Sequence, residues 1–239
     1  MLLETHVQFG RVASFWNRLG YFPAVIVEAN GHVGGIWVLT SGGNFFVSTV
    51  DVMAQCATVE IKAGSQAWFM SLVYASPIPS LRYQLWDRLI SVRTMVNGPW
   101  MLIGDFNEVL LPSESIGGFS HVRAWKFGEV LSACNLTDLE AKGFKFTWHR
   151  HIQGVRHLAK KFDRALVDLE WRDKFPEAFV ENLGSCILTI ILSFYDAVVY
   201  QCLKESDLSV LKLLGPPIRI IRRWFLELGV FVKRMFYED

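Results

Sequence analysis

Pro99-Trp100-Met101-Leu102-Ile103-Gly104-Asp105-Phe106-Asn107 is the stretch that decides how this chain is read. An apolar run with the character of a buried strand ends abruptly in an acid and an amide spaced two apart, so both polar side chains leave the strand end on the same side. Gly104 lets the backbone come close to a ligand. A carboxylate and a carboxamide at that spacing can orient a water or a phosphate oxygen beside a hard cation, which is phosphodiesterase equipment. Gly-Asp-x-Asn also suits an ordinary strand-to-turn exit, so the flanking segments have to decide.

Working outward, residues 21–28, 34–39, 44–50, 56–62, 67–74 and 100–104 read as strands, rich in Val, Ile, Phe and Trp and punctuated by Gly. Pro79 to Val96 and His121 to Cys134 carry apolar residues at helical spacing, with Ser80 and Ser120 as plausible caps. Consecutive strands with few helices suggest antiparallel sheets. Two sheets face to face with helices outside would bury both inner faces.

Bulk properties agree without discriminating. At 239 residues and 51% hydrophobic the chain can bury one large core. No Pro/Ser linker, charge block, repeat or low-complexity tract divides it. A formal charge of +1 gives no global pull toward nucleic acid. DNA contact would have to come from a local rim of Arg150, Arg156, Lys160, Lys161 and Arg164, whose alternative reading is a solvated loop. Cys56, Cys134, Cys186 and Cys202 form no Cys-x-x-Cys pair, and no secretory leader precedes the first segment, so neither zinc nor secretion is indicated and an intracellular, nuclear or cytoplasmic protein is expected.

Four further segments keep the Gly-Asp-x-Asn stretch company. Met1 to Thr5 is an apolar strand end delivering Glu4. Leu72-Val73-Tyr74-Ala75-Ser76-Pro77 is a strand that ends at a Tyr. Phe144 to Trp148 reads Phe-Lys-Phe-Thr-Trp, and Lys161-Phe162-Asp163-Arg164-Ala165-Leu166-Val167 follows. In this order and spacing they resemble the endonuclease/exonuclease/phosphatase superfamily with its DNase I-like fold, nearest to the endonuclease domains of plant-type non-LTR (LINE-like) retrotransposons. The Gly31-His32-Val33-Gly34-Gly35-Ile36-Trp37 turn, the Gly117-Gly118 pair after Glu114 and Trp171-Arg172-Asp173-Lys174-Phe175-Pro176 fit the same subgroup. The resemblance runs from residue 1 to about Val180. It implies a four-layer α/β/β/α sandwich, incomplete here, over residues 1–183, and a choice that periodicity alone does not make.

The resemblance also implies roles. Glu4 would ligate Mg²⁺ or Mn²⁺, whose charge offsets the negative charge building on a phosphodiester under attack. Asp105 would orient or deprotonate the attacking water, and Asn107 would hold that water or a non-bridging oxygen. Tyr74 matches the position whose phenol contacts the scissile phosphate, with a core Tyr as the alternative. Asp163 would support a catalytic His from a later strand. Arg164 is a phosphate-rim or structural charge, and Trp148 stacks on a base or packs beneath the active-site loop. DNA is the implied partner, with a monomer expected and no membrane association.

Two departures stand against activity. Family members carry an earlier strand that presents an Asn to the metal, and the matched segment starts after it. They also carry a late strand with Ser-Asp-His, and no Ser-Asp-His occurs in these 239 residues. Where it belongs, the chain reads Ser185-Cys186-Ile187-Leu188-Thr189-Ile190-Ile191-Leu192-Ser193-Phe194-Tyr195-Asp196. Writing Ile187 to Asp196 in permitted codons as ATT-CTG-ACC-ATT-ATC-CTA-TCC-TTT-TAC-GAT, the frame that starts at each third base reads Ser-Asp-His-Tyr-Pro-Ile-Leu-Leu-Arg. Ser206 to Leu214 plus the first two bases of Gly215, treated alike, gives Arg-Pro-Phe-Arg-Phe-Glu-Ala-Ala-Trp, similar to the segment that follows the endonuclease in these elements. Third bases are free in this exercise, but the other two bases of every shifted codon are dictated by the protein. Residues 184–239 are therefore expected to be an out-of-frame tail with no domain of its own, lying outside the sandwich or covering it poorly. The exception is Ile187 to Ile191, a β-branched run able to pair at an open sheet edge.

Three readings follow. The chain is an inactive remnant of a metal-dependent DNA endonuclease, an active metal-dependent endonuclease or phosphodiesterase, or a non-enzymatic nucleic-acid-binding or membrane-surface protein.

Overall fold

The computed structural model describes residues 1–182 except 4, 6, 30–33, 42, 44, 140 and 153–155. The backbone alone is described at 151, 152, 156, 187–191 and 199–203. Two large sheets dominate. In the first, the strand order is β4 (Phe45–Met53), β5 (Cys56–Ala63), β6 (Gln66–Tyr74), β7 (Trp100–Asp105), β13 (Asp163–Val167) and β9 (Thr137–Asp138). Neighbours are antiparallel except β6 and β7, which run parallel. A parallel pair needs a crossover, and α2 (Pro79–Arg93) supplies it. The second sheet has the order β10 (Ala141–Gly143), β14 (Phe179–Asn182), β15 (Ile187–Ile191), β16 (Val199–Leu203), β1 (Leu2–Leu3), β3 (Ile36–Thr40) and β2 (Phe22–Val27).

The burial pattern makes the layers. Between the two sheets lies one apolar layer, with Leu3, Val25, Ile36 and Val38 from one side meeting Val59, Trp68, Met70, Leu72, Met101 and Ile103 from the other. Alternate residues of the same central strands, Phe69, Val73, Trp100, Leu102 and Leu166, point the other way. They are covered by α2 and α3 (His121–Ala133). β7 is buried along its whole length, as a strand covered on both faces must be. On the outer face of the second sheet, α1 (Ala13–Arg18) lies over Leu2, Phe9 and Trp37. This is the expected four-layer α/β/β/α sandwich.

On α2, Arg82, Leu85, Trp86, Leu89 and Val92 form the buried stripe, and on α3 Ala124, Phe127, Val130 and Leu131 do. Trp86 stacks on Phe127 with centroids 4.7 Å apart, and Phe106 lies 5.5 Å from the same ring. Ser120 caps α3 as expected, accepting from the Arg123 amide. Ser80 does not cap α2. Pro79 takes the first helical turn, Ile78 occupies the cap position, and Ser76 Oγ accepts from the Ile78 amide just outside. A proline at that position sets the helical φ and needs no amide partner, so the helix begins at Pro79, as expected, without a side-chain cap. Near the lower edge α4 (Leu169–Lys174) is capped by Asp168, whose Oδ1 accepts from the amides of Trp171 and Trp100.

A third, smaller sheet joins β8 (Ser115–Ile116) to the hairpin of β11 (Trp148–Ile152) and β12 (Arg156–Lys160). Beyond Asn182, β15 pairs antiparallel with both β14 and β16, and β16 runs parallel to β1. Ile187 to Ile191 thus pairs into the sheet as expected, as an interior strand between β14 and β16. Val199 to Leu203 also enters the sheet, which the tail reading did not anticipate. An unpaired edge accepts any extended segment that satisfies its amides and carbonyls. Residues 204–239 lie outside the described residues.

Candidate active site

Three of the residues singled out in the sequence stand in one row. β6 pairs with β7 so that Tyr74 lies beside Asp105, and β13 pairs with β7 so that Asp163 lies on its other side. Directly paired residues project to the same face of a sheet, so Tyr74, Asp105 and Asp163 crowd one end of the six-stranded sheet. Asp105 and Asp163 are each about one-twentieth exposed. Gly104 is what permits the row. Its φ is +140°, and a Cβ there would sit 2.0 Å from the Val73 carbonyl oxygen and 2.8 Å from Leu3 Cδ1. The end of β1 thus abuts the same spot. Glu4, the expected metal ligand, lies outside the described residues.

Asn107 joins the row by a different route from the one its spacing suggests. The strand ends at Asp105, and Asn107 sits in a turn with φ +48°. Its amide donates to Asp105 Oδ1 at 2.8 Å, and its Nδ2 donates to the Ala75 carbonyl at 2.8 Å, next to Tyr74. Asn tolerates a left-handed backbone, and an acid two residues back closes an Asx turn. The side chain is therefore carried to the site by a turn, while Phe106 between them plunges into the layer under α2 and α3.

Around this floor runs a shell that the sequence reading passed over. Thr147 Oγ1 accepts from the amides of Phe162 and Asp163 at 3.1 and 3.0 Å, fixing the entry of β13. Arg82 donates to Glu108 Oε2 and to the Ser76 carbonyl, each at 2.6 Å, both partners being almost fully enclosed in the first pair. Gln55 accepts from the Ser76 amide and donates to the Leu81 carbonyl. These bonds clamp the loops after β6 and β7. The visible sign of Arg82 was its place at i, i+3, i+4 and i+7 with Leu85, Trp86 and Leu89, where an apolar residue is the rule.

Arg164 is not a phosphate contact. Its guanidinium is 0% exposed, with Nη2 2.9 Å from Glu114 Oε2 and Nη1 2.7 Å from Asp138 Oδ2. It sits one residue after Asp163 on β13, so it points to the opposite face, where burying a cation requires fixed carboxylates. Burial alone would push the Glu114 carboxyl up, but hydrogen bonds and charge from Arg164, with the Leu110 and Leu111 amides, outweigh it and hold Glu114 below the usual range. Lys161 is drawn inward as well, 2.7 Å from Asp138 Oδ2. Among the described side chains the basic rim is thus reduced to exposed Arg150 and half-buried Lys160, whose ammonium burial, with Arg123 nearby, pushes below its ordinary value; the side chain of Arg156 lies outside the described set. Trp148 is half-buried, its ring 5.7 Å from Phe162.

Among the described residues, no three His, Cys, Asp or Glu side chains come together as a metal cage. Asp105 and Asp163 supply hard oxygen donors of the type Mg²⁺ takes, and any further carboxylate would have to come from outside the described set.

Solved structures share the overall fold. The endonuclease domain of TRAS1, a telomere-specific non-LTR retrotransposon, superposes with a TM-score of 0.53 at 13% identity, over 75% of this chain and 90% of that one. The fold is DNase I-like. Two other similar structures are ANGEL2, a 2',3'-cyclic phosphatase, at 13% identity and TM-score 0.47 over 89% of this chain and 74% of that one, and D. rerio TDP2 complexed with a single-strand DNA product, at 10% and 0.47 over 73% and 72%. The likeness to the TRAS1 domain is one of fold. No family model and no curated protein matches the sequence.

Proposed function

We propose that this chain is the remnant of a divalent-metal-dependent DNA endonuclease of a non-LTR retrotransposon, catalytically silent in its present form. The observation that carries the reading is the row of Tyr74, Asp105 and Asp163 at one sheet end, with Asn107 turned back onto it. In the working form of such a site, Asp105 would orient or deprotonate the attacking water and Asn107 would hold a non-bridging oxygen. Tyr74 would touch the scissile phosphate, and Glu4 with Mg²⁺ or Mn²⁺ would offset its charge. Trp148 would offer a ring face to a base.

Silence is supported by the missing Ser-Asp-His, since acid-base assistance of that kind is worth roughly 10²- to 10⁴-fold. The out-of-frame origin of residues 184–239 explains the loss, and the codon arithmetic supports it. Purified chain incubated with supercoiled plasmid and Mg²⁺ or Mn²⁺ is expected to leave the plasmid closed. Robust nicking that vanishes in Asp105→Ala would replace silence with the active reading. Genomic DNA around codons 180–225 whose alternative frame lacks the Ser-Asp-His codons would remove the frameshift.

A further inference from the structure

The hairpin of β11 and β12 carries a second group of ligating side chains, away from the row at the sheet end. His149 Nδ1 lies 2.9 Å from His157 Nε2, both side chains are exposed, and their ring planes differ by 11°. The strand register pairs His151 with His157 and His149 with Ala159. Because residues two apart share a face and directly opposed residues share it too, positions 149, 151 and 157 all belong to one face of the ribbon.

We infer that this face is a binding site for a borderline transition-metal ion of the Zn²⁺ class, held by His149 Nδ1 and His157 Nε2. The chemistry is distinct from that of the sheet end, where the donors are oxygens suited to Mg²⁺. Imidazole nitrogens bind Zn²⁺, Cu²⁺ or Ni²⁺ and take Mg²⁺ poorly. The geometry needs little adjustment. Two nitrogens on one tetrahedral zinc at about 2.0–2.1 Å stand roughly 3.3 Å apart, so the rings open by about 0.4 Å and their shared hydrogen bond is exchanged for two metal bonds. Exposure leaves the remaining coordination positions to water. Two histidines on neighbouring antiparallel strands are presented to an ion without any loop rearrangement. An ion there ties β11 to β12, and with them the segment that delivers Thr147, Lys160 and Asp163 to the site.

Isothermal titration of the full chain with ZnCl₂ in metal-free buffer is expected to show one site. His149→Ala and His157→Ala are each expected to weaken it by roughly tenfold or more, and His121→Ala, on α3, to leave it unchanged. Excess Mg²⁺ is expected not to displace the ion. In parallel, zinc is expected to move the ring nitrogen NMR signals of His149 and His157 in the unmutated chain, a readout independent of whether any variant folds. Absence of stoichiometric binding, unshifted ring signals, or unchanged affinity in the folded His149→Ala/His157→Ala double variant would overturn the site.

Discussion

With its guanidinium enclosed between Glu114 and Asp138, Arg164 works as a structural post beneath the site, and its removal leaves the buried Glu114 carboxylate without its closest cation and Asp138 with Lys161 alone. Arg164→Met is expected to cost about 3–5 kcal/mol, read by urea unfolding. Glu114 adds a pH signature. Its folded pKa lies below the ordinary 4.5, so its contribution to stability is whole above that value and is lost as pH falls through the folded value. Thermal melts of the unmutated chain taken from about pH 5 down to about pH 3 are expected to fall more steeply than those of Glu114→Gln. Burial pushes the thiols of Cys56 and Cys134 up, to about 12 and about 11, so neither is a thiolate near neutrality. Mass-mapped alkylation at pH 8 is expected to leave both unlabelled until denaturant is added. Asp105, Tyr74 and Asp163 were legible because each ends or begins an apolar run. The fate of Arg164 was not, since its main partner stands fifty residues away and a buried guanidinium looks like a rim charge in one dimension.

Gly104 has the strictest backbone requirement of any position in the central strands. Any side chain there meets the Val73 carbonyl at 2.0 Å and must also hold φ near +140°. Gly104→Ala is expected to destabilise by at least about 1–3 kcal/mol and to disturb the Asp105 side chain, visible as loss of the Asn107 amide's hydrogen-exchange protection. Strand and helix positions were readable where one face is buried, because burial imposes the period of two or 3.6. β11 and β12 escaped that test. Their segments read Trp-His-Arg-His-Ile and Arg-His-Leu-Ala-Lys, and a ribbon with an exposed face needs no apolar alternation to pair. The cap of α2 was misassigned for a different reason: Ser80 resembles a cap, but Pro79 already fulfils the requirements of the first turn.

Across the whole molecule, the two-sheet sandwich followed from family likeness, since alternating strands alone are compatible with several sheet packings. The tail divides the predictions at this scale. A chain ending at Leu203 keeps β15 and β16 and is expected to melt within about 2 °C of the full chain, whereas one ending at Asn182 opens β14 and β1 together and is expected to lose at least about 5 °C. A melting temperature that drops on removing 204–239 alone would show that those residues pack. The pairing of Leu2 with Leu203 also sets a clock. The two ends of the described chain meet in one sheet, so its centre cannot close until some two hundred residues have been made, roughly 10–40 s after the first at ordinary ribosomal speeds. During that interval β1 stands with a free flank. Contacts of such long sequence separation also slow the search itself, so refolding from denaturant is expected to be slow, concentration-sensitive and prone to strand exchange between molecules, and translation rate to govern yield more than thermodynamic stability does.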